Sequence, residues 1–268
     1  MTVRVITDSA ASLPPEIAEE LDITVIDLHV MDSEDKGGKL RTTSGLSSLE
    51  LAAAYGREME KAQDDGVIAF HLSKELSSTW SAAVAAAGVF PDTVRVIDSG
   101  SAGMVMGAAA MAAMAAATKA AQGKALEECH AAALDSIERA ATWVYLHSME
   151  DMRRSGRMSA ATAMLSTALL ATKPIMSIVD GKLELVGKTR TQTKAFTKVV
   201  EIIAARAAGE PAFIAIQHNQ AGEAADKLQG LLRDALPEGT SFITTPLTEV
   251  LAVHAGPSAI GVSAVFSS

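Results

Sequence analysis

The sequence predicts an α/β protein of two domains, in which a doubly wound, mostly parallel sheet domain is followed by an α+β domain. In the first half, short apolar runs alternate with helical patterns, an order typical of parallel sheets covered by helices. In the second half, two apolar runs flank Asp180-Gly181, a dipeptide that favours a tight antiparallel hairpin because glycine takes positive φ readily. At 268 residues, the chain is long enough for two cores.

We assign the first domain to residues 1–155. Its apolar runs predict strands at Val3–Ile6, Ile23–Val30, Val67–Leu72, Val94–Ile97 and Trp143–Leu146. Helices are predicted from Pro14-Pro15, near Leu46–Ala62, after residues 73–79, over the Ala- and Met-rich segment 102–117, and over 124–140. The segment 102–117 is shorter than the roughly 20 residues of a membrane-spanning helix, so we interpret it as a buried helix.

The second domain is assigned to residues 156–268. Strands are predicted at Ile175–Val179, Leu183–Val186, Phe213–Ile216, Phe242-Ile243 and Ile260–Val265, with helices over 192–208 and 221–236. The boundary is expected between residues 150 and 165, where Arg153–Arg157 lies. Ligand clefts commonly form at such junctions between domains.

Composition excludes several classes of protein. The net charge of −9 argues against a nucleic-acid-binding surface, which needs clustered Lys and Arg. The single cysteine, Cys129, cannot form an internal disulfide, and the chain opens without the pattern of a signal peptide, so we expect a cytoplasmic protein. Gly37-Gly38-Lys39 does not fit a phosphate-binding loop, and no metal pattern occurs. We therefore expect no metal and no cofactor.

Five polar clusters, each interpreted as following a strand-like run, carry most of the functional information. They are Thr7-Asp8-Ser9, Thr42-Thr43-Ser44, Ser73–Thr79, Asp98-Ser99 and His254-Ala255-Gly256-Pro257. Ligands of open α/β sheets bind beyond the carboxyl ends of the strands. The clusters therefore predict one polar pocket that holds an anion and breaks no bond.

Each cluster also has a purely structural interpretation. Asp8-Ser9 can satisfy free amides in a turn, and Thr42–Ser44 can cap the following helix. Ser73–Thr79 is more specific, because it leads into a helix whose N-terminal amides and dipole attract a carboxylate or phosphate. A lone histidine such as His254 is usually structural. Arg157 and Arg190 lie in contexts where a guanidinium could pair with a carboxylate or phosphate, although most surface arginines do not.

Taken in order, these segments resemble the DegV family of bacterial fatty-acid-binding proteins. The resemblance runs from end to end of the chain. It rests on Ile6–Ser9, Thr43-Ser44, Ser73–Trp80, Val96–Ser99, Ser155–Ser159, Lys173–Ile175, Lys188–Arg190 and His254–Pro257. No single match is diagnostic, but the ordered set is specific.

The resemblance implies a ligand tunnel between the two domains that encloses an acyl chain, with the carboxylate held by Ser and Thr groups. The implied fatty-acid contacts are Thr43, Ser44, Ser73, Ser77, Ser78 and His254. Arg157 and Arg190 become candidate contacts to a partner or a phosphate. The family further implies that a separate ATP-dependent fatty acid kinase phosphorylates the bound carboxylate, so that this chain carries no catalytic residue.

The chain departs from the family pattern at four places. Gly45-Leu46 stands where Gln-Pro is usual, and Lys74 and Ser78 replace a serine and a glycine of the Ser73–Thr79 segment. Ser155 replaces a glycine before Gly156-Arg157, and Ser258 replaces the second glycine of Gly-Pro-Gly. These departures affect the expected pocket mouth more than the fold.

Two alternatives remain open. The chain could be a lipid ester hydrolase with Ser73 or Ser77 as nucleophile and His254 as base, although no G-x-S-x-G elbow occurs. The same anion-binding groups could also hold another amphiphilic carboxylate, because a fold does not determine its ligand.

Overall fold

The computed structural model describes residues 3–35, 38–63, 65–119, 125–165 and 172–267. The chain divides into two compact units, Met1–Met31 with Thr43–Glu138, and Asp32–Thr42 with Arg139–Ser268. Residue 124, where the sequence analysis began a helix, lies outside the described ranges, as does Gly37.

The strands, numbered in chain order over the described ranges, form three sheets. They are β1 (Arg4–Asp8), β2 (Ile23–Ile26), β3 (His29–Asp35), β4 (Gly38–Ser44), β5 (Val67–His71), β6 (Val94–Asp98), β7 (Ala140–Tyr145), β8 (Lys173–Val179), β9 (Lys182–Thr189), β10 (Ala212–His218), β11 (Ser241–Pro246) and β12 (Ile260–Phe266). The strands β3 and β4 pair as a two-stranded ribbon.

The helices are numbered in the same way. They are α1 (Pro15–Glu20), α2 (Ser48–Ala62), α3 (Thr79–Ala87), α4 (Met104–Ala117), α5 (Ala125–Glu138), α6 (Glu150–Ser155), α7 (Ala160–Leu165), α8 (Gln192–Ala207), α9 (Gly222–Ala235) and α10 (Glu249–Ala255). Within the described ranges, no helix has the length and apolarity needed to cross a bilayer. The Ala- and Met-rich α4 has 14 residues, most of them buried, which confirms the predicted buried helix.

The first unit contains a four-stranded parallel sheet in the order β2-β1-β5-β6. Every residue of β1 and β5 is buried, as expected for central parallel strands that are covered on both faces. Helices α1 to α5 pack against this sheet and against each other. The predicted mostly parallel domain is thereby confirmed.

The second unit contains a six-stranded mixed sheet in the order β11-β10-β12-β7-β8-β9, in which β10 and β11 are parallel and the other pairs antiparallel. The predicted hairpin between β8 and β9 is confirmed, because Asp180 and Gly181 have φ of +48° and +78°. Helices α8 and α9 cover a core that includes Phe196 and Leu228.

The structure differs from the sequence analysis in where the first unit ends. Strand β7, which was placed in the first domain, pairs antiparallel with β12 and β8 in the second sheet. The compact units accordingly divide between Glu138 and Arg139 instead of after residue 155. A strand that follows a helix looks locally like another step of the alternation, because nothing in its own sequence specifies a partner more than 100 residues away.

A partly buried ion cluster ties the amino end of β1 to its neighbours. Arg4 and Glu58 are buried, whereas Asp22 and Lys61 reach solvent. The Arg4 guanidinium donates through Nε to Glu58 Oε2 at 2.8 Å, and through Nη2 to Asp22 Oδ1 at 2.7 Å. Lys61 Nζ donates to the other Glu58 oxygen at 2.6 Å. The hydrogen bond from Arg4 lowers the pKa of Asp22. Burial alone would raise the pKa of Glu58, but the hydrogen bonds from Lys61 and Arg4 outweigh it and lower that pKa.

We expect Glu58→Gln to lower the free energy of unfolding by about 3 kcal/mol, because the buried Arg4 charge loses a partner and keeps only Asp22. A carboxyl group whose pKa is lowered on folding stabilises the protein above its ordinary pKa, and this contribution is lost as the pH falls through the folded-state value. The variant should therefore lose less stability than the wild type below about pH 4.5. Urea unfolding at pH 7 and at pH 3 to 4 measures both effects.

The matched control is Glu60→Gln, because Glu60 lies on the same helix α2 but is exposed. It should change the free energy of unfolding by less than about 0.5 kcal/mol. Equal losses in the two variants would contradict the structural role assigned to the Arg4 cluster.

Candidate functional site

The carboxyl edge of the parallel sheet contains a topological switch point. From β1 the chain passes to β2 on one side, and it later returns to β5 on the other side of β1. The loops that leave β1 and β5 therefore diverge, which opens a crevice of the kind in which α/β proteins bind ligands. The predicted clusters at the ends of β1 and β6 and after β5 all lie at this edge, so the structure brings Asp8, Ser73 and Asp98 to the same edge of the sheet.

Asp8 lies at the centre of this edge and is fully buried. Its Oδ2 accepts hydrogen bonds from His71 Nδ1 at 3.0 Å and from the Leu72 amide at 3.1 Å, and its Oδ1 accepts from the Ala10 amide at 3.0 Å. The His71 Nε2 atom lies 2.8 Å from the hydroxyl of Tyr55 on α2. The structural interpretation of Asp8 is thus correct, and its partners His71 and Tyr55 were missed.

Backbone hydrogen bonds fasten the neighbouring loops to one another. The Ser73 amide donates to Ser101 O at 2.8 Å, and the Gly103 amide donates to Ala10 O at 2.7 Å. Asp98 accepts from the amides of Gly100 and Lys74 at 2.9 and 3.3 Å. Asp98 thus orders its own loop and the one after β5.

Residues Ser73–Thr79, which we call the hydroxyl loop, join β5 to α3. The Ser73 hydroxyl is buried and accepts from the Glu75 amide at 3.2 Å. The Ser77 and Thr79 hydroxyls are 2.9 Å apart, and Ser77 Oγ also accepts from the Thr79 amide at 3.2 Å. Ser78 is the N-cap residue of α3, but its side chain makes no capping hydrogen bond. The loop therefore presents an exposed Ser78 hydroxyl at the N-terminus of α3 beside the half-buried Ser77.

Gly45 lies against this loop. A Cβ atom at Gly45 would come within 2.7 Å of Thr79 Oγ1 and within 3.2 Å of the Ser77 and Ser78 hydroxyls. Thr43 and Ser44, at the end of β4 just before Gly45, are half-buried. The structure thus places Gly45 beside the hydroxyls of Ser77 and Ser78, which the sequence analysis assigned to the binding of a carboxylate, and beside that of Thr79, which it did not.

Two of the five clusters belong to elements outside the parallel sheet, and one of these follows no strand, contrary to the sequence analysis. Thr42–Ser44 forms the last part of β4, and the N-cap of α2 is Ser47, which makes a reciprocal capping box with Glu50. The interpretation of Thr42–Ser44 as a cap is therefore wrong. His254 lies in the last turn of α10, a short helix that the sequence analysis missed.

The second unit has its own cleft, of about 610 Å³, around His254. Its walls come from the ribbon, from α6 and the turn after it, from the residues that follow β10 and β11, and from α10 with the turn after it. The charged and amide residues that line it are Arg41, Asp151, Arg154, Arg157, Asn219, Gln220 and Glu249, with His254 among them. Carboxylates balance two of the three arginines, since Arg41 pairs with Asp32 and Glu249, and Arg154 with Glu150 and Asp151.

Arg157 and His254 differ electrostatically from the rest of the cleft. Among the described ion pairs, Arg157 has no carboxylate partner, and its guanidinium donates to Ser155 O. Burial, and secondarily the Arg157 charge, lower the pKa of His254 to about 4. At neutral pH the imidazole is therefore uncharged beside a guanidinium that no carboxylate of the described residues neutralises. This pair can offer a positive charge and a neutral hydrogen-bonding group to an anion.

Arg190 lies away from the cleft around His254, whereas Asn219 lines it. Arg190 is exposed after β9 and does not line this cleft. Asn219, which sequence reasoning missed, donates through Nδ2 to Gly256 O at 2.7 Å and holds the turn that follows His254. Within the described ranges, no group of His, Cys, Asp and Glu residues is arranged to hold a metal ion.

We expect Gly45→Ala to lower the free energy of unfolding by about 1–3 kcal/mol, the usual effect of overpacking, because the new methyl group would displace the Ser77, Ser78 and Thr79 hydroxyls. Thermal unfolding measures the change. Gly56→Ala is the control, since a Cβ there meets only Phe90 at 3.6 Å and alanine favours the helix α2. If Gly45→Ala left the free energy of unfolding unchanged, the hydroxyl loop would not be packed against Gly45 as described.

Comparisons with known proteins agree with this architecture. The family model described as "Uncharacterised protein, DegV family COG1307" matches residues 30–267. A DegV domain-containing protein of Corynebacterium glutamicum is 58% identical over the whole chain and 95% of its own length. A DegV domain-containing protein of Mycobacterium tuberculosis is 37% identical over 98% of the chain and 96% of its own length.

Solved structures match over the full chain as well. The crystal structure of a DegV family protein from C. glutamicum, 57% identical, superposes with a TM-score of 0.94 over 100% of this chain and 99% of its own. A DegV family protein from Thermus thermophilus, described by its fatty acid binding, is 26% identical with a TM-score of 0.89 over 100% of both chains. DegV of Bacillus subtilis, described as a fatty acid binding protein, is also 26% identical, with a TM-score of 0.82 over 100% of both chains. The chain belongs to the DegV family.

Proposed function

We propose that this protein binds one long-chain fatty acid and holds its carboxylate with Ser and Thr groups. The observation that carries the proposal is the convergence of the Ser77, Ser78 and Thr79 hydroxyls around Gly45 at the carboxyl edge of the parallel sheet. Relatives from T. thermophilus and B. subtilis that are described as fatty acid binding support the class of ligand.

Physical chemistry explains why such a ligand needs both apolar and hydroxyl contacts. Each buried methylene group contributes about 0.8 kcal/mol, so a long acyl chain supplies ample affinity. A carboxylate that is taken out of water without hydrogen bonds is very costly. We assign its hydrogen bonds to Thr43, Ser44, Ser73, Ser77 and Ser78. His254, which is neutral at pH 7, is the candidate contact from the second unit.

We further propose that the protein presents the carboxylate to a separate ATP-dependent kinase, which forms the acyl phosphate. Arg157 supports this part of the proposal, because among the described ion pairs its guanidinium has no carboxylate partner, and a guanidinium suits phosphate oxygens. Arg190 is exposed beyond β9 and suits contact with a partner protein. The chain itself has no nucleotide-binding motif, so ATP is assigned to the partner.

Native mass spectrometry of freshly purified protein, followed by solvent extraction, tests the binding of fatty acid. We expect a one-to-one adduct with the mass of a fatty acid. A clean mass of the chain alone that stays unchanged after incubation with palmitate and with oleate would overturn the proposal.

Substitutions test the assignment of the head-group contacts. We expect Ser77→Ala and Thr43→Ala each to weaken oleate binding by about ten-fold or more, because a hydrogen bond to a charged group contributes about 1.5–3 kcal/mol. Thr118→Ala is the control, since that exposed hydroxyl donates to Ala115 O at the end of α4, far along the chain from the assigned contacts. Oleate affinity that is unchanged in both site variants would refute the assigned contacts.

The hydrolase interpretation has a separate test. The two candidate nucleophiles, Ser73 and Ser77, belong to the first unit and hydrogen-bond to amides of their own loop. The buried histidine of that unit, His71, is engaged by Asp8 and Tyr55. We expect no His254-dependent turnover of a chromogenic acyl ester. Turnover by the wild type that vanished in His254→Ala would favour a hydrolase over a carrier.

A further inference from the structure

We propose that Tyr55, His71 and Asp8 form a positioning network that sets the affinity of the hydroxyl loop for the ligand carboxylate. This inference rests on the proposed function. It assigns to three fully buried residues a role that goes beyond stabilising the fold.

Asp8 fixes the point at which the hydroxyl loop begins. Its Oδ2 accepts from the Leu72 amide at 3.1 Å, and Leu72 is the residue directly before Ser73. The loop then turns on Ser73, whose carbonyl accepts from the amides of Leu76 and Ser77 at 2.9 and 3.1 Å. A shift of Asp8 would therefore move the first residue of the turn that positions Ser77.

The chemistry of the three groups gives each hydrogen bond a direction. A carboxylate can only accept, so Asp8 accepts from His71 Nδ1–H, and in the neutral ring Nε2 then accepts from the Tyr55 hydroxyl. Burial, and secondarily the Asp8 charge, raise the pKa of Tyr55 well above its ordinary value, so the hydroxyl remains a donor. In this arrangement each nitrogen of His71 has a partner, and both act together to orient Asp8.

Tyr55 connects the network to α2. This helix begins at Ser48, three residues after Gly45. A Cβ atom at Gly45 would come within 3.2 Å of the Ser77, Ser78 and Thr79 hydroxyls, so the segment before α2 lies close to the hydroxyl loop. The hydrogen bonds from Tyr55 through His71 and Asp8 to Leu72 therefore join the helix that follows Gly45 to the residue that precedes the loop.

The test compares Tyr55→Phe with Glu58→Gln, because both residues are buried on α2, one turn apart. Glu58 faces Arg4 at the amino end of β1, whereas Tyr55 reaches the carboxyl end through His71. We expect Tyr55→Phe to weaken oleate binding about ten-fold, the factor that corresponds to one lost buried hydrogen bond. Glu58→Gln should lower the melting temperature by at least as much as Tyr55→Phe does, and it should leave oleate affinity unchanged. Calorimetric titration with oleate and thermal unfolding supply the two readouts.

A conservative replacement of His71 distinguishes a role in positioning Asp8 from a role in packing. An asparagine at residue 71 places an N–H near the former Nδ1, so His71→Asn should keep oleate affinity well above that of His71→Leu, which removes both hydrogen bonds. Hydrogen exchange of the ligand-free protein gives a readout that does not depend on binding. We expect Tyr55→Phe to accelerate exchange of the amides of residues 73–79, and Glu58→Gln to leave them unaffected.

The outcomes distinguish a failure of the positioning network from a failure of the proposed function. If the wild type binds neither oleate nor palmitate, the proposed function fails, and the exchange rates still decide whether the network positions the loop. Equal exchange of residues 73–79 in Tyr55→Phe and Glu58→Gln would overturn the positioning role. Faster exchange in Tyr55→Phe with unchanged oleate affinity would show that the loop is positioned by the network but does not hold the carboxylate, and would overturn its role in affinity.

Discussion

The hydrogen bonds that one buried carboxylate requires constrain the positions of several segments of the first unit. Asp8 is fully buried at the end of the central strand β1, where an unpaired carboxylate would be very costly. Its partners come from the 3₁₀ turn that follows and from β5 and the residue after it, which are adjacent only because β1 and β5 are neighbours in the sheet. The hydrogen bonds that remove the cost of burial also fix the two loops that diverge at the switch point. Stability and the geometry of the edge therefore depend on the same contacts.

The two candidate regions differ in how their charged groups are balanced. At the sheet edge of the first unit, Asp8 is buried, and the exposed part of the hydroxyl loop carries the Ser78 hydroxyl, Glu75 and the Lys74 ammonium, which lies 3.6 Å from Asp98. In the cleft of the second unit, charged groups line the wall, but Arg41 and Arg154 are largely balanced by carboxylates. Arg157 beside the uncharged His254 is the exception. Hydroxyls suit a carboxylate that must be bound reversibly, whereas a guanidinium adds the long-range attraction that a more highly charged phosphate would need.

The sequence predicted features whose cause is local and missed features whose cause lies elsewhere in the chain. The alternation of strands and helices as far as β6 and the Asp180-Gly181 hairpin depend on short segments, and both were correct. The ribbon of β3 and β4 was missed because its polar residues show no alternation. His71 and Tyr55 resemble ordinary core residues of a strand and a helix, and only the sheet order brings them to Asp8. The hydroxyl loop was identified from its composition, whereas its contact with Gly45 depends on how the segment before α2 packs.

That contact restricts which side chains position 45 can carry. A Cβ atom there would lie 2.7 Å from Thr79 Oγ1, whereas the Ser77 and Ser78 hydroxyls would be 3.2 Å away. Thr79 is buried and its hydroxyl bonds to Ser77, so it cannot turn away into solvent as an exposed hydroxyl can. A residue larger than glycine at position 45 would therefore require the segment before α2 or the start of α3 to shift. Gly45 keeps these two segments close together, and the spacing of the hydroxyls at the start of α3 depends on that approach.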